Sequence, residues 1–124
     1  CDILVSHNYS SILKFHQKNK FDLTITASLR DFTIPYGVCN VDNSGKLLSM
    51  TEKPNFNFLV NTGLYIFEPR VLELIPNNKT FDINDLIRKI KKNNMNIGVY
   101  PISNESWKDF GNWTEYSKNF DKKF

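Results

Sequence analysis

A β-strand is predicted by Leu23-Thr24-Ile25-Thr26-Ala27-Ser28-Leu29, in which apolar side chains alternate with hydroxyl-bearing ones. Successive side chains of a strand point to opposite faces of a sheet, so this period of two collects the apolar set on one face. Upstream, apolar residues at helical spacing predict a helix over residues 9–18, with Asn8 as its N-cap. A helix followed directly by a strand begins an alternating α/β pattern.

The rest of the chain continues this alternation. Asp42-Asn43-Ser44-Gly45 is rich in turn-forming residues and lies between β-prone runs over 36–41 and 46–50, which predicts a hairpin. The other predicted elements are a loop over 31–35, a buried strand over 64–67, a short helix between Pro69 and Pro76, a helix after Asp82, a strand over 97–100 ended by Pro101, and a helix over 113–120. This order predicts an α/β fold with a mixed sheet and one inserted hairpin.

Length and charge narrow the class of protein. A chain of 124 residues is long enough for one domain with one core, and no apolar run approaches the roughly 18 residues that span a bilayer. The net charge is only +3. The densest basic run, over 88–92, is typical of a nucleic-acid or membrane surface, or of the solvated end of an amphipathic helix. We favour the helix end, because no aromatic side chains interleave with these charges, and predict neither a nucleic-acid nor a membrane partner.

The cysteines and histidines argue against a disulfide framework, a zinc site and a nucleophilic triad. Cys1 and Cys39 form neither a disulfide framework nor a zinc-binding pattern, which favours a reducing cytoplasm. Cys39 lies in an alternating segment and is predicted to be a small core residue. His16 is predicted to be structural or exposed, while His7 follows Asp2 closely enough to approach a metal. So few histidines, with no serine in a G-x-S-x-G context, predict no nucleophilic triad.

Two aspartates are candidates for metal binding. Asp2 lies at a strand–loop junction, and Asp109 lies in a predicted loop after the strand over 97–100. Loops at the carboxyl ends of strands converge in an open α/β sheet, and Mg²⁺ is commonly held by one or two carboxylates with phosphates and water. The alternative is that Asp2 is an ordinary loop residue and that Asp109 caps a turn before Gly111. Spacing alone leaves both interpretations open.

Further polar groups lie near predicted strand ends. In Glu52-Lys53-Pro54 the ammonium group suits a phosphate, the carboxylate can accept from a sugar hydroxyl, and the proline is predicted to hold Lys53 extended. The alternative is a surface ion pair. Asn61-Thr62-Gly63 offers an amide, a hydroxyl and a closely approachable backbone, or else forms a loop or bulge before a strand. Gly37 either faces a sugar ring or marks the start of a strand.

Taken in order, these fragments resemble the sugar-1-phosphate nucleotidyltransferases over almost the whole chain. They are Asp2 after a strand, Tyr36-Gly37-Val38, Glu52-Lys53-Pro54, Asn61-Thr62-Gly63 and Asp109-Phe110-Gly111. The resemblance is to members that act on mannose 1-phosphate or glucose 1-phosphate, and it implies a Rossmann-like three-layer nucleotidyltransferase fold. All five glycines are isolated, so the glycine-rich nucleotide loop of this family is missing. Residues 1–124 are therefore expected to be the C-terminal part of a single nucleotidyltransferase domain, without its N-terminal nucleotide-binding part.

The resemblance also implies a role for each matched residue. Asp2 and Asp109 would bind a catalytic Mg²⁺, and Lys53 would act with them by contacting the phosphate of the sugar. The residues expected to bind substrate are Gly37, Glu52, Lys53, Asn61 and Thr62. A phosphate oxygen of the sugar 1-phosphate would attack the α-phosphorus of a nucleoside triphosphate and release pyrophosphate. This reaction needs positioning and charge neutralisation rather than a protein nucleophile.

The isolated chain is expected to be inactive, because half of the phosphate cradle is missing. It is also expected to self-associate through apolar surface that a fuller domain would cover, and the full protein is expected to be a homo-oligomer. The alternative interpretation is a non-catalytic module of the same fold that binds a sugar phosphate or a nucleotide sugar for regulation. A metal-dependent glycosyltransferase of related fold is disfavoured, because the chain has no Asp-x-Asp pair.

Overall fold

The computed structural model describes residues 2–111. The elements are, in chain order, β1 (Ile3–Val5), α1 (Tyr9–Lys18), β2 (Leu23–Thr33), β3 (Val38–Val41), β4 (Leu47–Thr51), β5 (Asn55–Phe67), α2 (Pro69–Leu72), α3 (Ile83–Lys92), β6 (Ile97–Ile102), a 3₁₀ turn (Asn104–Ser106) and β7 (Trp107–Asp109). The predicted helix over 113–120 and Cys1 lie outside the described residues. Strands alternate with helices around one inserted hairpin, which confirms the predicted α/β class.

β2 is the central strand of a three-stranded mixed sheet with the order β5-β2-β6. It pairs antiparallel with β5, from Leu23 opposite Phe67 to Thr33 opposite Asn55. It pairs parallel with β6, beginning with Leu23 opposite Ile97. The mixed sheet predicted from the sequence is confirmed, with the alternating segment over 23–29 at its centre.

Helices lie on both faces of this sheet. On one face, His16 of α1 is buried and its Nδ1 is hydrogen-bonded to the Thr24 hydroxyl at 2.7 Å. On the other face, Leu23 packs in a core with Val71 of α2 and Ile90 of α3. Neighbouring residues of a strand point to opposite faces, so Leu23 and Thr24 separate the two helical layers. The three-layer arrangement implied by the resemblance is therefore confirmed.

The two long helices begin at their predicted caps. The Asn8 side chain accepts a hydrogen bond from the Ser10 N–H at 2.9 Å at the start of α1. Asp82 and Asp85 form a reciprocal capping box at the start of α3, which is capped by Asn93 at its other end. A cap satisfies N–H groups that lack a partner in the first helical turn, so local sequence is enough to locate these ends.

The basic run over 88–92 lies at the C-terminal end of α3. Arg88 pairs with Asp85 one turn earlier, and the Lys89 ammonium group donates to the Leu74 carbonyl oxygen at 2.9 Å. Cations suit the negative end of the helix dipole. The interpretation of this run as the end of an amphipathic helix is confirmed. Within residues 2–111, no helix has both the length and the apolar character needed to cross a membrane.

Three predicted strand limits are wrong. β2 continues through most of the loop predicted over 31–35 and pairs Thr33 with Asn55. β5 consequently begins at Asn55, well before the predicted strand over 64–67. β6 continues through Pro101, because it is the outermost strand of the described sheet and its open side needs no N–H donor. These strands are extended by pairing between distant segments, and local composition does not predict that pairing.

Residues 29–33 of β2 and 55–59 of β5 form an antiparallel ribbon. This β2–β5 ribbon leads directly into the β3–β4 hairpin. The Ile34 N–H donates to the Pro54 carbonyl oxygen at 3.0 Å, and the Lys53 N–H donates to the Tyr36 carbonyl oxygen at 3.2 Å. The predicted hairpin is confirmed, but Cys39 is exposed instead of lying in the core. Both faces of the hairpin are largely exposed in the described part of the chain, so an alternating pattern here does not mark a buried face.

β1 and β7 form a separate two-stranded antiparallel sheet. The Ser6 N–H donates to the Ser106 carbonyl oxygen at 2.7 Å and extends the pairing of these two strands. A second contact reaches the main sheet, since the Arg30 guanidinium of β2 lies 4.7 Å from the centre of the Trp107 ring. The second contact attaches the small sheet to the central strand. Segments from opposite ends of the described chain are thereby brought together beside the main sheet.

Candidate functional site

The structure brings the backbones of Asp2 and Asp109 close together. β1 and β7 pair so that Ile3 lies opposite Asp109, and the Phe110 N–H donates to the Asp2 carbonyl oxygen at 2.7 Å. The backbones of the two aspartates therefore lie close together, with Asp2 just before β1 and Asp109 at the end of β7, although the residues come from opposite ends of the described chain. Asp109 is the last residue of β7 and does not lie in the predicted loop.

The two carboxylates differ in their surroundings. Asp2 is exposed, whereas Asp109 is half-buried and its Oδ1 accepts from the Gly111 N–H at 2.9 Å. Asp109 thus makes the turn-capping contact that was its alternative interpretation. That contact uses one of the two carboxylate oxygens, so turn capping and metal binding are compatible. The hydrogen bond also fixes the orientation of the carboxylate, which favours a metal ligand.

The donor set at these aspartates suits Mg²⁺. Hard divalent cations prefer carboxylate oxygens, and Mg²⁺ is commonly held by one or two of them with phosphates and water. Among residues 2–111, no group of three or more histidine, cysteine, aspartate and glutamate side chains is arranged to hold a metal. His7 Nε2 is hydrogen-bonded to the Tyr100 hydroxyl at 3.2 Å, so it already has a partner. Metal binding by the two aspartates stays a prediction.

A second group forms where the ribbon meets the hairpin. Gly37 and Glu52 lie on opposite sides of this junction, and a Cβ atom added to Gly37 would lie 3.1 Å from Glu52 Oε2. The neighbouring Lys53 N–H is bonded to the Tyr36 carbonyl oxygen. The junction therefore brings Gly37 together with the consecutive residues Glu52 and Lys53, which lie far from it in sequence, and places a carboxylate against a bare backbone position.

Lys53 adopts a backbone conformation that the sequence does not predict. Its φ is +43°, in the left-handed region, whereas the following proline predicts an extended residue. That prediction is wrong, because the chain must turn between β4 and β5 at this point. A non-glycine residue in the left-handed region is strained, and such strain persists where surrounding hydrogen bonds enforce it. The contact with Tyr36 is one such bond.

The third group, Asn61-Thr62-Gly63, lies within β5 as a bulge. Ala27 pairs with Asn61 and Ile25 pairs with Tyr65, so three residues of β5 lie opposite the single residue between them in β2. Gly63 has a φ of +86°, which glycine adopts without strain. The bulge that the sequence left as an alternative is therefore present, and it lies inside a longer strand.

Thr62 is buried in this bulge, with 2% of its surface exposed. Its hydroxyl donates to the Thr26 carbonyl oxygen at 2.8 Å and accepts from the Leu64 N–H at 3.4 Å. The hydroxyl therefore anchors the bulge to β2. Asn61, by contrast, is exposed. The substrate-binding roles of both residues stay predictions.

Two aromatic residues lie beside candidate residues, although the sequence patterns assign no functional role to either of them. Trp107 is two positions before Asp109 in β7, so both side chains project from the same face of that strand. Tyr65 is four positions after Asn61, and its hydroxyl is in contact with the Asn61 amide. The spacing is visible in the sequence, but only the pairing of the strands shows that these residues touch other groups.

Comparison with known proteins gives consistent findings. A family model for nucleotidyl transferases matches residues 1–123. The UTP–glucose-1-phosphate uridylyltransferase of Synechocystis sp. is 30% identical over 122 residues, which are 93% of this chain and 31% of the relative. A putative mannose-1-phosphate guanyltransferase of Sulfolobus acidocaldarius is 28% identical over 119 residues, which are 94% of this chain and 32% of the relative.

Solved structures show the same fold. HddC from Yersinia pseudotuberculosis superposes with a TM-score of 0.65 at 21% identity, over 98% of this chain and 52% of HddC. A putative glucose-1-phosphate thymidylyltransferase from Bacillus anthracis superposes with a TM-score of 0.58 at 19% identity, over 94% of this chain and 49% of that protein. The chain thus spans about a third of the length of these curated relatives and about half of these solved chains.

Proposed function

The chain belongs to the nucleotidyl transferase family, and on that premise we propose that the protein transfers a nucleoside monophosphate from a nucleoside triphosphate to a sugar 1-phosphate. The products are a nucleoside diphosphate sugar and pyrophosphate. The names of the relatives support this proposal, since one is a glucose-1-phosphate uridylyltransferase and another a putative mannose-1-phosphate guanyltransferase. We also propose that residues 1–124 form the C-terminal part of a single nucleotidyltransferase domain.

The observation that carries the proposal is that the backbones of Asp2 and Asp109 lie close together at one end of the β1–β7 sheet. Mg²⁺ is commonly held by one or two carboxylates together with phosphates and water, and two aspartates at one end of a small sheet can offer such ligands. When bound, Mg²⁺ would neutralise charge on the phosphates. The chain itself would supply the two oxygen ligands, one of them oriented by the Gly111 N–H.

The other candidate residues would hold the sugar 1-phosphate. Lys53 would place a positive charge at its phosphate, and Glu52 would accept from a sugar hydroxyl. Gly37 would let the ring approach the backbone, while Thr62 would support the exposed Asn61 amide through the bulge.

The proposed reaction is a substitution at phosphorus. A phosphate oxygen of the sugar 1-phosphate forms a bond to the α-phosphorus of the triphosphate. The bond between that phosphorus and the oxygen that bridges it to the β-phosphorus breaks, and its electron pair leaves with pyrophosphate. Positioning and charge neutralisation suffice for this step, so the chain needs no nucleophile of its own.

We further propose a cytoplasmic location and a homo-oligomeric full protein. Cys39 is free and exposed, which supports a reducing compartment. The ribbon exposes apolar side chains, among them Phe32 at 52% and Phe58 at 53% of their surfaces. Clustered exposed aromatic residues support a further protein contact at this ribbon.

The proposal is tested by calorimetric titration of the 124-residue chain with glucose 1-phosphate and mannose 1-phosphate, with and without Mg²⁺. We expect the chain to bind one of them more tightly when Mg²⁺ is present. Asp2→Asn and Asp109→Asn should each remove the Mg²⁺-dependent part of the affinity. Glu73→Gln, which removes a negative charge from an exposed position after α2, is the matched control and should leave binding unchanged.

Failure of the unaltered chain to bind either sugar phosphate would contradict the proposed function. The chain alone should release no pyrophosphate when a nucleoside triphosphate is added, and clear release would refute its expected inactivity. A longer protein that contains this chain should turn over both substrates. Binding without turnover in that protein would instead favour the regulatory module.

A further inference from the structure

The bulge in β5 folds Asn61 back towards Tyr65. Residues four apart in a regular strand are separated by about 13 Å along the chain. Here Asn61 Nδ2 donates to the Tyr65 hydroxyl at 2.5 Å. The contact exists because the bulge inserts extra residues between the pairs formed by Ala27 and Ile25. The insertion therefore determines which two side chains meet.

The orientation of the Asn61 amide follows from its two partners. The Gly63 N–H can only donate, and it lies 3.0 Å from Asn61 Oδ1, so the amide oxygen faces the backbone. The amide nitrogen must then face the Tyr65 hydroxyl, which accepts. Each of the two amide atoms has one further bonding position, a second N–H on the nitrogen and a second lone pair on the oxygen.

Tyr65 is held more firmly than the exposed amide that it contacts. Its side chain is half-buried and packs against the core formed by Leu23, Val71 and Ile90. Its ring centre lies 5.8 Å from that of Phe67. A hydroxyl on a ring fixed by packing offers a stationary partner, and a stationary partner limits the rotation of the amide.

We propose that Tyr65 is a positioning residue, which orients the Asn61 amide so that its second N–H and its second lone pair meet two neighbouring hydroxyls of the sugar. An amide that donates to one hydroxyl and accepts from the next recognises a hydroxyl pair better than a single hydroxyl. The inference rests on the proposed function, since it concerns how the same site would hold its sugar.

The test compares Tyr65→Phe, Asn61→Ala and the double variant of the 124-residue chain. Binding is measured with whichever of glucose 1-phosphate and mannose 1-phosphate the unaltered chain binds more tightly. Tyr65→Phe removes one hydroxyl and keeps the packed ring, so it should weaken binding about three- to tenfold. Tyr100→Phe is the control, because it also removes a tyrosine hydroxyl that contacts another side chain, and it should leave affinity unchanged.

Two further readouts separate positioning from general destabilisation. The double variant should bind no more weakly than Asn61→Ala, because the hydroxyl acts only through the amide. The side-chain amide resonances of Asn61 should shift in Tyr65→Phe and stay in place in Tyr100→Phe.

The possible outcomes distinguish the two proposals. If the unaltered chain binds and Tyr65→Phe binds equally well, only the positioning role is overturned. Unmoved Asn61 resonances, or losses that add in the double variant, overturn it as well. If the unaltered chain binds neither sugar phosphate, the proposed function is contradicted, and so is the positioning role that rests on it.

Discussion

Glu52 occupies space that any side chain at position 37 would need. Its Oε2 would lie 3.1 Å from a Cβ atom on Gly37, and Met50 Sδ would lie at 3.7 Å. A contact of 3.1 Å is tighter than ordinary van der Waals packing, so one partner has to move. Glu52 is exposed and its carboxylate is the mobile end of the pair.

Gly37→Ala should therefore displace the Glu52 carboxylate without unfolding the hairpin. We expect sugar 1-phosphate affinity to fall by about tenfold, the equivalent of one charged hydrogen bond, while the melting temperature changes little. Calorimetric titration and thermal unfolding measure the two effects.

Gly45→Ala is the contrasting control: nothing lies within 4 Å of the new methyl group, but the φ of +85° strains it. It should lower stability by about 1 kcal/mol and leave affinity unchanged. Lost stability with unchanged affinity in Gly37→Ala, or lost affinity in Gly45→Ala, would contradict the proposed role of Gly37.

Lys53 combines a strained backbone with a candidate phosphate contact. Lys53→Gly should raise the free energy of unfolding by about 0.5–1 kcal/mol, because glycine adopts a positive φ without strain. The same substitution should weaken sugar 1-phosphate binding, because the ammonium group is lost. Urea denaturation and calorimetry measure the two quantities.

Lys20 provides the matched control, since its φ is +53° and it lies in an exposed turn after α1. Lys20→Gly should raise stability by a similar amount and leave affinity unchanged. Equal loss of affinity in both variants would show that Lys53 acts through net charge alone.

The β3–β4 hairpin depends on a carboxylate in its turn. Asp42 Oδ1 accepts from the Ser44 hydroxyl at 2.7 Å, the Ser44 N–H at 2.8 Å and the Lys46 N–H at 3.0 Å. These bonds, led by the Ser44 hydroxyl, hold the pKa of Asp42 below its ordinary value. A protonated carboxyl accepts such bonds poorly, so the turn is linked to pH.

A lowered carboxyl pKa means that the folded state binds fewer protons than the unfolded state. The stabilising contribution of Asp42 is therefore complete above the ordinary aspartate pKa of about 3.9 and is lost as pH falls through the lowered folded value. An NMR titration of the Ser44 and Lys46 amides should show a midpoint below 3.9. Ser44→Ala should move that midpoint up, because it removes the largest cause of the shift. A midpoint at or above 3.9 in the unaltered chain would contradict the assignment.

At the scale of whole elements, prediction succeeded where structure is local. α1 and α3 begin at Asn8 and Asp82, because a cap and its partners lie within one helical turn. The hairpin turn at Asp42 is local for the same reason. The first half of β5 was not predicted as a strand, because its partner, β2, is distant in sequence.

At the scale of the molecule, Asp22 joins three parts of the sheet at one end. Its buried carboxylate accepts from Arg70 Nε at 2.6 Å and from the Asn96 N–H at 2.8 Å, and its carbonyl oxygen accepts from the Glu68 N–H at 2.8 Å. These bonds tie the start of β2 to the segments before α2 and β6. Sequence patterns assign Asp22 no role, since a single aspartate beside a strand has many possible partners.

Asp22→Ala should lower the free energy of unfolding by about 2–3 kcal/mol, because it leaves the Asn96 N–H and the Arg70 guanidinium without their buried partner. Urea denaturation at neutral pH measures the change. Asp31→Ala alters an exposed aspartate of the same strand and should change stability by no more than about 0.5 kcal/mol. Similar values for both variants would show that Asp22 does not join these segments.

The alternation of strands and helices, the helix caps and the hairpin turn can all be predicted from the sequence, and so can the family, through its ordered motifs. Each of these features depends on residues that interact within a few positions or recur at a regular period. Tertiary structure alone decided that Asp109 lies beside the β-strand that follows Asp2, that Glu52 lies against Gly37, and that the bulge turns Asn61 onto Tyr65. These contacts depend on which strands pair and in which register, and register is a property of two distant segments that neither of them carries alone.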